Sequence, residues 1–151
     1  MALKYAYMSF SCPDATLEQM FDWARQFGYD AIELRIQAKH SHGVELETPA
    51  DERQAIREQA EAAAAPICGL ACTTRFADPE QTDDSVAVAD RAIDLTADVG
   101  GGVLRLFGGQ FPDTVSRAAA IENLVGGLKR VADHAQERSV TRLHTRPARW
   151  I

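Results

Sequence analysis

The chain repeats one unit, a short β-prone stretch followed by an amphipathic helix, at intervals of about 36 residues. Such stretches begin near residues 31, 67, 103 and 140. That interval is what a strand, a crossover helix and two loops occupy. An initial unit precedes them. Residues 4–10 suit a strand, and Pro13-Asp14 breaks it. Thr16 with Gln19 forms a capping box, Leu17, Met20, Phe21, Ala24 and Phe27 fall at helical spacing, and Gly28 ends the helix. Residues 31–36 alternate, with Ile32, Leu34 and Ile36 on one face and Ala31, Glu33 and Arg35 on the other. Thr48 as N-cap and Pro49 at the first helical position open a second helix, which Pro66 stops. Residues 67–73 form a third strand. Asp83 or Asp84 caps a third helix carrying Val86, Ala89, Ile93 and Ala97, closed by Gly100-Gly101-Gly102. Residues 103–107 form a fourth strand, one helix covers about 116–137, and residues 140–143 begin a fifth strand.

Alternating strands and helices predict parallel strands joined by right-handed crossovers. Two architectures satisfy this. One is a five-strand doubly wound sheet, with strand one between strands two and three. The other is part of a (β/α)₈ TIM barrel, with about four βα units, a fifth strand and sequential strand order. A whole barrel takes about 250 residues, and this chain has 151. Central strands of a doubly wound sheet are covered on both faces and read as continuously apolar. Here strand two carries Glu33 and Arg35, and strand four carries Arg105 between Leu104 and Leu106. Charges pointing inward near strand C-termini lie where a barrel builds its active site. The plainer reading puts them on the exposed face of an edge strand.

Specific runs resemble a known family. Phe27-Gly28-Tyr29-Asp30-Ala31-Ile32-Glu33-Leu34-Arg35 is similar to the second strand of xylose isomerase-like TIM barrels, the sugar phosphate isomerase/epimerase group. His40-Ser41-His42-Gly43-Val44-Glu45-Leu46, Arg75-Phe76 and Val103-Leu104-Arg105-Leu106-Phe107-Gly108-Gly109 resemble its following loop and strand ends. The resemblance covers about residues 3–141 and implies the N-terminal half of a barrel. It also implies, for the complete family, a divalent metal (Mn, Co, Mg or Zn) and isomerisation or epimerisation of a sugar or polyol, phosphorylated substrates included. Family members place a metal-binding carboxylate at the end of strand five, with further ligands from strands six to eight. Here Ser139-Val140-Thr141 is followed by Arg142-Leu143-His144-Thr145-Arg146, with no acid. Residues 138–151 hold four arginines and no acid, whereas the rest of the chain carries 12 basic and 22 acidic residues. This basic segment suggests a truncation or a change of reading frame, and a chain inactive by itself.

Glu33, Arg35, His40, His42, Arg75 and Arg105 are therefore the candidate substrate-binding residues. Planar guanidinium forks suit carboxylate or phosphate, and the alternative for these arginines is pairing with Glu33 or nearby acids. Glu33, His40, His42 and Glu45 form the His/acid cluster, read as substrate contact rather than metal ligation, so this chain is expected to bind no metal. His144 is a lone imidazole in an atypical segment. Cys68 and Cys72, four apart on a strand, are expected to share a face as buried thiols. No glycine run has dinucleotide or P-loop spacing, and no Ser-His-Asp order stands out.

Net charge of −6 argues against a nucleic-acid partner, including the role of a barrel-fold DNA-repair endonuclease. The absence of long apolar runs argues against a membrane. An odd set of three cysteines without a CxxC pair, and an N-terminus without signal-peptide pattern, predict a soluble cytoplasmic single domain. A half barrel leaves strands one and five as open edges and leaves Met8, Cys68 or Leu70, and Phe107 without an opposite wall, which predicts a homo-oligomer. The non-enzymatic alternative is a half-barrel binding or assembly module.

Overall fold

A computed structural model describes residues 3–145. Five strands form one sheet in the order β1-β2-β3-β4-β5, and every neighbouring pair is parallel. The strands are β1 (Ala6–Met8), β2 (Ala31–Arg35), β3 (Ile67–Cys72), β4 (Val103–Phe107) and β5 (Thr141–Thr145). Sequential order is that of barrel winding and excludes the doubly wound alternative, which needs β1 between β2 and β3. Between the strands run α1 (Leu17–Phe27), α2 (Ala50–Ala62), α3 (Thr82–Asp98), and a pair, α4 (Arg117–Arg130) and α5 (Ala132–Glu137).

The two faces of the sheet differ in chemistry. Ile32, Leu34, Leu70, Leu104 and Leu106 are wholly buried and face the helices, where Met20, Ala24, Ala89 and Ile93 join them in one core. Leu34, Leu70 and Leu104 are in register across β2, β3 and β4. The opposite face carries Glu33, Arg35, Ala71, Val103, Arg105 and Phe107, and corresponds to a barrel's lumen. Leu70 thus belongs to the helical side, not to the inward face for which it was one of two candidates; Gly69 and Ala71 are the β3 residues in register with Glu33 and Arg35. A register shift between Ile32 and Glu33 pairs Ile32 with Ile67 but Glu33 with Gly69, so strict alternation fails at Cys68. The two cysteines do not share an environment. Cys68 is half-buried, with its thiol donating to Ile32 O at 3.2 Å, while Cys72 is buried and its thiol pKa is pushed up to about 12 by desolvation.

Several local signals act as read. Thr16 Oγ1 accepts from Gln19 N at 3.3 Å and Thr16 N donates to Gln19 Oε1 at 2.9 Å, the complete capping box. Gly28 closes α1 in the left-handed conformation, φ 73°. Others differ. β1 is shorter than residues 4–10, because Ser9–Ser11 turn into a 3-10 helix. Thr48 does not cap α2: its hydroxyl turns back to accept from Glu45 N at 2.9 Å, and Pro49 takes the N-cap position. Gln81, rather than Asp83 or Asp84, occupies the N-cap of α3. Phe27 lies in the last turn of α1 and is exposed rather than part of the core.

The helix expected over 116–137 breaks at buried Val131. The break brings α5 against the acidic side of α3. His134 Nδ1 lies 3.1 Å from Asp90 and Nε2 3.0 Å from Asp94, and Arg138 pairs with Asp94 at 3.0 Å and with Asp98. The hydrogen bond to Asp90, followed by Asp94, raises the His134 pKa above its ordinary value. A raised folded-state pKa adds stability below the unfolded pKa of about 6.5, and that stability is lost as pH rises through the folded value. The wild-type urea midpoint is therefore expected to fall between pH 6 and pH 9. In His134→Gln that limb should flatten. An identical pH slope in the two proteins would rule out the clamp.

Candidate active site

The lumen face carries a charged cluster that runs from the middle of β2 and β4 to the strands' C-terminal ends. Arg105, from the middle of β4, donates from Nε to Glu33 Oε1 of β2 at 2.8 Å, spanning β3. It can do so because Glu33 and Arg105 share a pleat direction, and Gly69 and Ala71 between them present almost no side chain. Arg105 also points a guanidinium nitrogen at Met8 Sδ, 2.8 Å away, tying β4 to β1. Phe107, the next inward residue on β4, receives both cations: its ring centroid lies 5.5 Å from the guanidinium carbon of Arg105 and 5.1 Å from that of Arg35.

Arg35 ends β2 and is 9% exposed. It donates to Ala71 O at 3.1 Å and to the Thr73 hydroxyl, and its Nε is buried with no partner. Burial, with a contribution from Arg105, pulls its pKa below the ordinary arginine value. Ser9 organises the rim from beneath. Its buried hydroxyl accepts from Arg35 N at 2.8 Å and lies 3.0 Å from His40 Nδ1. His40 is edge-on to Phe10, centroids 5.5 Å apart, and Phe10 lies 5.8 Å from the Arg35 guanidinium carbon. Thr74 stitches the ends of β3 and β4, donating to Phe107 O at 2.6 Å and accepting from Phe107 N at 3.0 Å.

The six candidate residues divide. Glu33, Arg35 and Arg105 come together, joined through Phe107, and His40 reaches the same rim through Ser9 and Phe10. His42 is adjacent to His40, centroids 5.6 Å apart, but is buried below the loop. Its Nε2 faces Arg35 O at 3.1 Å and its Nδ1 accepts from Val44 N at 3.1 Å. Burial lowers its pKa, so it holds the loop as a neutral ring. Arg75 stands in the loop after β3, exposed, donating to Gln81 Oε1 at 3.1 Å and packed against Gly109 (φ 82°), where a Cβ would approach its Cα to 2.8 Å. Glu45 is absorbed by the loop: its carboxylate accepts from the backbone N–H groups of Gln37, Ala38 and Lys39, the first and last of which have positive φ. The His144 side chain lies outside the described residues. Ser9, Phe10 and Thr74 join the site unannounced by any motif, the available signal being a polar or aromatic residue at each strand's C-terminal end; Phe107, expected as an inward residue, becomes a wall of the site.

The donor set does not fit a divalent metal. Both His42 nitrogens are engaged, the Glu45 oxygens serve the loop, and Glu33 is neutralised by Arg105. No group of three metal-ligating side chains converges among the described residues. A groove lined by Phe21, Arg25, Gln59 and Ala63 lies between α1 and α2 on the helical side, remote from this chemistry.

Parallel strands in sequential order, helices on the outer face and a charged cluster at the strands' C-terminal ends define a segment of a (β/α)₈ barrel. The chain belongs to the xylose isomerase-like TIM barrel family, whose family model matches residues 21–146. Among solved structures it is similar to a 3-keto-D-glucoside 4-epimerase from E. coli, with TM-score 0.75, 10% identity, and coverage of 95% of this chain and 56% of that one. It is also similar to a D-allulose 3-epimerase from Methylomonas sp. solved in complex with D-allulose (TM-score 0.72, 16% identity, 94% and 50% covered). A D-psicose 3-epimerase solved with D-fructose gives 0.71, 16%, 93% and 51%. The chain spans about half the length of these structures. No curated protein sequence matches it. No helix among the described residues is long and apolar enough to cross a membrane.

Proposed function

We propose that this chain is the substrate-holding N-terminal half of a sugar or polyol isomerase/epimerase barrel, and that it binds sugar without turning it over. The observation that carries this reading is the Glu33–Arg105 pair at 2.8 Å on the lumen face, walled by Phe107 and rimmed by His40. A carboxylate and a guanidinium side by side offer acceptor and donors to neighbouring hydroxyls, and an aromatic wall receives the apolar face of a sugar ring. The epimerases it resembles in fold support the substrate class.

Proton transfer at a sugar carbon needs a base of suitable pKa and stabilisation of the charge that develops on oxygen. Here Glu33 is committed to Arg105 and no ligand set for a metal converges. The chain's own residues therefore bind and orient, and the groups that move protons belong to the rest of a complete barrel. Titration with D-fructose should give a dissociation constant in the millimolar range, weakened about tenfold in Arg105→Ala. The same sample in D₂O with added Mn²⁺ should show no deuterium entering the sugar. Absence of sugar binding would overturn the substrate class, and deuterium incorporation would overturn the inactivity.

The same geometry supports self-association in a reducing, cytoplasmic setting. All three cysteines are free thiols. Strands β1 and β5 are the sheet's two edges, and Met8, Val103 and Phe107 are only partly covered. Apolar surface left in water costs about 25 cal/mol per Å². A second copy laid edge to edge, β5 against β1, covers the lumen face. Sedimentation should then show a dimer or larger species at micromolar concentration.

A further inference from the structure

Charge on the lumen face does not balance. Two guanidinium groups, Arg35 and Arg105, attend one aromatic ring, and one carboxylate, Glu33, faces them and is paired to Arg105 alone. Glu45, which also acts on Arg35 electrostatically, is spent on three loop N–H groups. Among the described residues no carboxylate is within ion-pair distance of Arg35, and residues 138–151 contain no acidic side chain to supply one. Arg35 is nevertheless nine-tenths buried, with Nε unpartnered. A buried cation without a counter-ion is costly, and a guanidinium cannot relieve that cost by losing its proton. An oxyanion would relieve it, because the planar fork of donors matches carboxylate and phosphate geometry.

We infer that Arg35 and Arg105, held on the face of Phe107, form an oxyanion subsite that takes the phosphate or carboxylate of the bound sugar. This rests on the sugar-site reading above and narrows it from neutral sugars to sugar phosphates or sugar acids. Glu33 has a defined part: it neutralises one of the two cations and so sets how strongly the anion is held. His40, set against Phe10 and Ser9, closes the side of the subsite nearest β1.

The test is calorimetric titration of the full chain with inorganic phosphate, D-gluconate and D-fructose, in wild type, Arg105→Gln and Glu33→Gln. The expected result is that at least one anion binds tenfold or more tighter than D-fructose. Anion binding weakens about tenfold in Arg105→Gln and tightens about tenfold in Glu33→Gln, since a unit charge a few ångströms away is worth on that order. A merely structural Glu33 would weaken binding when replaced. If Arg105→Gln does not fold, the direction of the Glu33→Gln change decides alone. Stronger binding of phosphate than of gluconate assigns a phosphorylated sugar, and the reverse assigns a sugar acid. Binding of D-fructose with neither anion preferred overturns the subsite and leaves the sugar reading standing. Failure of all three ligands overturns both. Anion binding that is unchanged in both variants also overturns the subsite.

Discussion

Phe76→Ala is expected to lower the unfolding free energy by about 3–5 kcal/mol, the usual range for removing a buried aromatic ring. Phe76 follows β3 and is wholly buried among the core residues. Its ring sits so close to α4 that a Cβ on Gly127 would fall 2.4 Å from Cδ1. Gly127 is thus the position at which the helix makes room for the ring, and the pair locks α4 over the β3 end of the sheet. Truncating the ring leaves a cavity beneath a helix that has two adjacent glycines and little intrinsic stability of its own. Against a total of about 5–15 kcal/mol for a domain, the loss leaves a protein near its threshold. Urea unfolding checks this. A midpoint within error of wild type would mean that Phe76 is not the packing centre described.

Gly69→Ala is expected to cost about 3 kcal/mol or more and to abolish ligand binding in whatever fraction still folds. A Cβ at Gly69 would lie 2.4 Å from Val103 O and 3.1 Å from its carbonyl carbon. These are backbone atoms of the adjacent strand, so no rotamer change relieves the clash, and β3 and β4 must separate. Overpacking in a well-filled region costs about 1–3 kcal/mol when side chains can yield, and a backbone obstacle belongs at or above the top of that range. Because Gly69 lies between Glu33 and Val103 in the register, the displacement moves Arg105 away from Glu33. Circular dichroism melting together with D-fructose titration checks both parts. A variant with native melting and native affinity would show that the two strands are not held as closely as this.

Much of the architecture was legible because the signals were periodic. Two-residue alternation placed Ile32, Leu34 and Ile36 opposite Glu33 and Arg35, and charges inside β2 and β4 favoured a barrel over a doubly wound sheet. Glu33 and Arg105 were legible as inward charges, but their pairing was only the alternative left open for the arginines, and strand order was needed to bring the two together. Contacts that depend on a single slip or turn were not legible. Alternation puts Cys68, Leu70 and Cys72 on one face, and it cannot show the irregular register beside Glu33, next to which the two cysteines have different surroundings. Arg75 follows its strand just as Arg35 ends its own, but it lies beyond the pleat, where loop geometry and Gln81 decide its direction. Thr48-Pro49 has the composition of a helix start, yet the Thr48 hydroxyl finds Glu45 N first. Ser9 and Thr74 hold the site together through hydrogen bonds across 26 and 33 residues of sequence, and no local pattern encodes a partner at that distance.

The proposed sugar site occupies the lumen face toward the C-terminal ends of β1 to β4. Its most direct test is an amide NMR titration of the full chain with D-fructose. Shifts are expected to concentrate at Ser9, Gln37, His40, Thr73 and Phe107, with residues of the α1–α2 groove such as Arg25 and Gln59 unmoved. Shifts confined to that groove, or none at saturating sugar, would contradict that placement.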